Sequence, residues 1–344
     1  METINDKNLN EIEILVDKLN EKKFRAKQIY KQIHNNKIND FFEMTDIPLN
    51  LREKLSLEYC FSRVKKIHEY DSKLDGTKKY LFELNDGNVI ETVFMPYKKR
   101  NTLCISTQVG CAMGCKFCAS TKNGFIRNLT SSELIEQTYE IERINGDISN
   151  IVIMGIGEPF YNYDNLVKYI KIITDKNGRN LSHRSITVST SGIVEKIYEM
   201  ANENLDVNLA VSLHFSNDEL RRKYMPIGKK YSIEEIVEAC DYYFKNTGRR
   251  VSYEYMIISG VNDTDKDAFN LHKLFFGKNI LINLITLNPI KEFKNYKSDL
   301  ISTNNFANKL TKLGLNVSIR KSMGKDINAS CGQLRNKYEE KNGI

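Results

Sequence analysis

Apolar residues recur at intervals of three and four through LNEIEILVDKLN (9–20) and FRAKQIYKQIH (24–34), and residues 8 to about 58 carry helical patterns only. The period then changes. SRVKKIHEY (62–70), KKYLFEL (78–84) and VIETVFM (89–95) alternate or concentrate β-branched and aromatic residues, which predicts short strands. From residue 102 strands and helices take turns. Strands are predicted at TLCIST, NIVIMG, SITVST, NLAVSL, VSYEYMI and ILINLIT. Helices are predicted near 130–144, 164–174, 193–203, 232–246 and 265–276, the first opened by a capping box of Thr130 and Glu133. About six such repeats imply a parallel sheet and favour a barrel or partial barrel.

The polar motifs fall where such a sheet builds a site. Cys111, Cys115 and Cys118 follow the first strand of the repeat, and Gly157 with Glu158 follows the second. Ser189 to Gly192 end the third, Ser212 and His214 end the fourth, and Asn288 with Pro289 follows the sixth. In a parallel barrel all carboxyl ends open on one face, so five motifs converge on one mouth.

Composition narrows the setting. With 41% hydrophobic and 28% charged residues in 344, the chain reads as globular, long enough for a large core plus a small domain. No apolar run approaches membrane-spanning length and the start lacks signal-peptide character, so a cytoplasmic protein without membrane contact is expected. There, clustered thiols serve as ligands or catalysts rather than disulfides. The net charge of +7 fits an anionic partner such as RNA. Arg25, Lys27, Lys31 and Lys37 are expected along one short helix as a phosphate-contacting surface, with Arg184 and the SIRK strand (318–321) adding positive charge near the mouth. His34, His68, His183 and His272 lack metal-ligand spacing and read as packing or surface residues.

The stretch GCAMGCKFCAS (110–120) sets three cysteines in a C-x3-C-x2-C pattern. Three thiolates on a tight loop suit a [4Fe-4S] cluster with one iron left open, whereas a structural zinc site needs four closed ligands, usually in C-x2-C pairs. With Phe117 before the last cysteine, the loop resembles the signature of radical S-adenosylmethionine (SAM) enzymes. The surrounding QVGCAMGCKFCAS, GIGEP, STSG, SLH, LNP and DINASCGQL resemble the RlmN/Cfr family of RNA adenine methyltransferases over nearly the whole chain.

That resemblance implies a partial (β/α)6 TIM-like radical SAM barrel over 76–344, ending in a segment with a methyl-carrier cysteine. A helical RNA-binding accessory domain with a short strand extension would occupy 1–75. By similarity one [4Fe-4S] cluster on Cys111, Cys115 and Cys118 would bind SAM and cleave it to a 5′-deoxyadenosyl radical, two SAM being used per turnover. Gly157, Glu158, Ser189, Ser212, Leu213, His214 and Asn288 match the SAM-binding positions. Cys331 matches the residue that becomes S-methylcysteine, Cys104 the thiol that resolves the protein–RNA adduct by a disulfide, and Glu91 a proton acceptor. A lone cysteine on a strand otherwise reads as a buried filler, as do Cys60 and Cys240. The implied substrates are adenosine 2503 of 23S rRNA and adenosine 37 of some tRNAs, flipped out to reach the mouth. Flavodoxin or ferredoxin would supply electrons to a monomer. The family's C2 enzymes read GEP where its C8 antibiotic-resistance enzymes read GEA. Pro159, with Asn162 and Asn165, points to C2, with Cfr-type C8 methylation the alternative. A non-catalytic, zinc-stabilised RNA-binding protein is the reading from another class.

Overall fold

The structure is a computed structural model and describes residues 1–335. Three helices, α1 (Leu9–Lys18), α2 (Phe24–His34) and α3 (Leu49–Glu58), pack with a short parallel pair, β1 (Glu2–Thr3) and β2 (Tyr59–Cys60). Their apolar stripes meet in a core of their own that includes Ile12, Ile29, Ile33 and Leu51. A capping box starts α1: the Asn8 side chain accepts from the Glu11 amide, and the Glu11 carboxylate returns to the Asn8 amide at 2.6 Å.

Lys27 and Lys31 are exposed on α2, but Lys37 does not share that helix. It lies past the helix end with φ 56°, its ammonium 3.0 Å from Glu142 and 2.8 Å from Asp147. Two carboxylates thus take the charge that the helical pattern assigned to RNA. Other bonds fix the helices on the larger body. Ser131 Oγ donates to Asp6 at 2.7 Å, Tyr30 OH donates to Asp175 at 3.2 Å, and buried His34 meets Tyr139 OH at 3.0 Å.

The larger body is a ten-stranded sheet. β3 (Lys65–Asp71), β4 (Lys78–Glu83) and β5 (Val89–Tyr97) run as an antiparallel meander into β6 (Arg100–Cys104). From β6 the pairing is parallel through β9 (Asn150–Ile153), β10 (Ile186–Thr190), β11 (Asn208–Ser212), β12 (Ser252–Ile257), β13 (Leu281–Thr286) and β14 (Val317–Ile319). β3 and β14 stand at opposite ends of the order, so this is an open, partial barrel. The six expected strands are present, and β14 adds a seventh parallel member. Because β3 pairs with β4, the sheet begins inside the 1–75 segment: Phe61 packs in the helical core, Val64 in the barrel core.

The crossovers are α4 (Ser131–Asn145), α5 (Tyr163–Thr174), α6 (Val194–Asn202), α7 (Asp218–Tyr224), α8 (Ile233–Thr247), α9 (Asp265–Phe275) and α10 (Leu300–Lys312). Thr130 and Glu133 form the predicted capping box of α4. Arg184 precedes β10, so it sits at the amino end of the strand, away from the mouth where the sequence pattern had put it. Arg320 follows β14 and does face the mouth. A small hairpin, β7 (Gln108–Gly110) with β8 (Phe125–Asn128), stands outside the main sheet and brackets the cysteine loop.

Candidate active site

The loop is folded by close backbone approaches. Gly110 has φ 72°, and a Cβ there would lie 1.9 Å from Gly124 O, so only glycine fits. Cys111 N donates to Gly124 O at 2.8 Å, Cys118 N to Cys115 O at 3.2 Å and Lys116 N to Tyr224 O at 3.0 Å. Thr121 Oγ1 reaches Cys115 O and Cys118 O, tying the last turn. The three cysteines so placed line one cleft with Gly157, Glu158, Ser189, Ser212 and His214, about 910 Å³ with its open mouth included.

Burial raises all three thiols, Cys111 to about 12, and the neighbouring thiols push the same way. A bound metal centre, which takes thiolates, would offset that penalty. Three cysteines on one tight loop suit a [4Fe-4S] cluster with one iron left open, whereas a structural zinc site takes four closed ligands, usually in C-x2-C pairs.

Opposite the loop, Gly157 has φ 114°, and an added Cβ would sit 2.7 Å from Gln108 Cβ and from Thr107 Oγ1. Gly157→Ala should cost about 3 kcal/mol through backbone strain and overlap, read as a lowered denaturation midpoint. Glu158 is buried, and burial raises its pKa. Its carboxylate accepts from Thr190 Oγ1 at 2.7 Å, Ser191 N at 2.7 Å and Phe160 N at 3.1 Å. Remaining lone pairs face the cleft, where an ammonium group would offset the desolvation. Thr190 and Ser191, outside the expected ligand set, position this carboxylate.

His214 sits at φ 59°, and its Nδ1 accepts from Met256 N at 3.1 Å, which leaves the proton on Nε2. Burial, aided by the Arg221 cation, lowers its pKa to about 3, so the ring is a neutral donor. Phe117 meets it edge-on, centroids 5.2 Å apart. Leu213 is fully buried in the core, and neither it nor Asn288 lines the main cleft. Instead Asn288 Nδ2 donates to Cys331 O at 3.1 Å.

The Cys331 segment folds across the strand ends. Ala119 N donates to Gly332 O at 2.8 Å, Ser120 Oγ to Leu334 O at 2.8 Å, and Gln333 Nε2 to Pro289 O at 3.1 Å. Glu91, on β5, accepts from Arg335 N at 2.9 Å and from buried Lys79 at 3.2 Å. It holds the segment from beneath and lines neither cleft. Cys331 lines the main cleft and also a side cleft that contains Cys104. Both thiols are free. Burial foremost, then Cys331, lifts the Cys104 thiol to about 12, while Arg320 opposes the rise. Arg320 contacts Met154 Sδ at 3.2 Å and Glu254 at 3.5 Å, and it lines both clefts with Cys331. Glu254 was hidden from the sequence reading because SYEYMI reads as an ordinary strand with one solvated carboxylate.

Comparison with known proteins meets the same elements. Residues 105–272 match the radical SAM superfamily, and residues 3–60 match the ribosomal RNA large subunit methyltransferase N-terminal domain. A protein of Lachnoclostridium phytofermentans named "Probable dual-specificity RNA methyltransferase RlmN" is 51% identical over 97% of this chain and 94% of its own. One of the same name from Lachnospira eligens is 50% identical over 99% and 97%. The crystal structure of a radical SAM methyltransferase from Sphaerobacter thermophilus superposes with a TM-score of 0.92 at 40% identity, covering 97% of this chain and 99% of that one. A helical module on an open radical SAM barrel, shared with such relatives over nearly its whole length, makes this chain an enzyme of the RlmN family of radical SAM RNA methyltransferases.

Proposed function

We propose that this enzyme methylates C2 of adenosine 2503 in 23S rRNA and C2 of adenosine 37 in a subset of tRNAs. The observation that carries the mechanism is the place of Cys331, which lines the cysteine-loop cleft on one side and the Cys104 cleft on the other. An sp2 carbon of adenine is too weak a nucleophile to take a methyl group from a sulfonium directly. Cys111, Cys115 and Cys118 would hold a [4Fe-4S] cluster, which with SAM would supply a 5′-deoxyadenosyl radical at this cleft.

This chain's residues do the rest. Glu158 takes the amino end of SAM, and Gly157, Ser189, Ser212 and the neutral His214 shape the rest of its bed, the last donating through Nε2. Asn288 and Leu213 act by holding backbone, Asn288 through Cys331 O. Cys331 takes a methyl group from one SAM, which leaves as S-adenosylhomocysteine, gives a hydrogen atom of that methyl to the 5′-deoxyadenosyl radical of a second, and bonds through the resulting methylene radical to the adenine; the ring then loses a proton and the odd electron, which the oxidised cluster would take back. Glu91, bonded to Arg335 N and Lys79 and lining neither cleft, serves the removal of the ring proton indirectly, through the Cys331 segment that it holds. Arg320 lines the main cleft beside Cys331 and adds positive charge to the mouth. A small electron-transfer protein such as flavodoxin or ferredoxin is the proposed reductant, and a monomer the working form. The names of the relatives and the Pro159 of GIGEP support C2 over C8.

The test is anaerobic turnover on unmodified 23S rRNA and tRNA followed by nucleoside mass spectrometry. Formation of 2-methyladenosine from both is expected; 8-methyladenosine would reassign the position, and no product from tRNA would remove the second substrate.

A further inference from the structure

The largest side chain with no solvent exposure belongs to Arg221, on α7. Its Nη2 donates to Ser191 O at 2.5 Å, but Nε and Nη1 have no hydrogen-bond partner. Among the described residues no carboxylate forms an ion pair with it. A buried guanidinium left so poorly matched is costly, and removing it from water is repaid only by a facing negative charge. The groups that favour its charge are Cys115 first and Asp218 second. Gly228 and Gly192 make room for it: a Cβ at Gly228 would lie 3.3 Å from Arg221 Cγ, and one at Gly192 3.4 Å from Nη2. The same helix accepts the Lys116 amide through Tyr224 O, which fixes Arg221 relative to the cysteine loop. Arg221 does not line the cleft, so its charge reaches the cleft through the cysteine loop.

We propose that Arg221 is a positioning residue for the iron–sulfur cluster, a permanent buried cation that stabilises the extra negative charge the cluster gains on reduction. The inference rests on the reading of Cys111, Cys115 and Cys118 as cluster ligands. The potential of such a cluster follows the net charge around it and the hydrogen bonds to its sulfurs. One electron passes from the reductant to the cluster, no bond in the protein breaks, and the guanidinium keeps its protons. A cation behind Cys115 therefore raises the potential and eases that transfer.

The experiment is an anaerobic dithionite titration of the reconstituted enzyme, without SAM or RNA, followed by electron paramagnetic resonance. Arg221→Met and Arg221→Lys are compared with the unaltered chain, and iron is counted in each. Neutral Arg221→Met should disfavour reduction at least tenfold, a midpoint 59 mV lower for one electron. Charge-retaining Arg221→Lys should stay within that interval of the unaltered chain. Cluster loading should also raise the melting temperature of the unaltered chain more than that of Arg221→Met, because the buried charge is matched only when the cluster is present. A midpoint in Arg221→Met within 59 mV of the unaltered chain, or equal losses of melting temperature with and without cluster, would overturn the proposal. If Arg221→Met does not fold, Arg221→Lys decides: a loaded cluster at the unaltered potential supports a role for charge, whereas its failure makes the side chain a packing element. Absence of iron from the unaltered chain would sink the cluster reading itself, before Arg221 is in question.

Discussion

Cys331→Ala should abolish methylation, by at least about 10⁴-fold in turnover, because on the proposed route its sulfur carries the methyl group and, among the described cysteines, it alone lines both clefts. The iron content should stay at about four per chain, since the cluster ligands lie on a separate loop closed by its own bonds to Gly124 and Tyr224. Stability should change by no more than about 1 kcal/mol, because the lost sulfur is small and half-buried and the backbone bonds from Ala119 and Asn288 remain. Iron analysis, melting temperature and nucleoside mass spectrometry read the three parts separately. Retained turnover would move the methyl carrier elsewhere, and loss of iron with turnover would make Cys331 a cluster ligand.

The split between those readouts follows from how the chain builds the mouth. The six predicted strands of the barrel were legible from apolar runs such as NIVIMG and ILINLIT and from β-branched stretches such as SITVST, and the turns after most of them carried the polar motifs. Hairpin β7–β8 was not, since three or four residues hold no period to detect. Helix α7 was also missed: LRRKY reads as a solvated charged run, yet Arg221 within it is the most deeply buried cation of the barrel. Spacing alone could not place the Cys331 segment either. Its position comes from single side chains on distant elements, Ser120, Asn288 and Glu91, and the meeting of Cys331 with Cys104 follows from those bonds rather than from any local pattern.

Cys104→Ala should leave cluster, SAM binding and the first methyl transfer intact, yet trap the protein covalently on RNA. On the proposed route the methylene bonds to adenine, and release then proceeds by attack of a thiolate on the Cys331 sulfur. The new S–S bond forms as the C–S bond breaks, and the electron pair left on the methylene carbon takes a proton to give the methyl product. Cys104 shares the side cleft with Cys331, and no other free cysteine lines it. Its thiol is held at about 12 mainly by burial, so at neutral pH it is protonated and the attacking form is scarce. Because the raised value favours the protonated form below it, adduct release should speed up as pH climbs toward it, close to tenfold per unit until another step limits. Arg320 works against the rise in Cys104, so Arg320→Met should slow release further, whereas Cys104→Ala should abolish it and its pH dependence together. Denaturing gels of enzyme incubated with labelled RNA read the adduct directly. A variant lacking Cys104 that frees its product at the unaltered rate would assign resolution to a thiol from outside the chain.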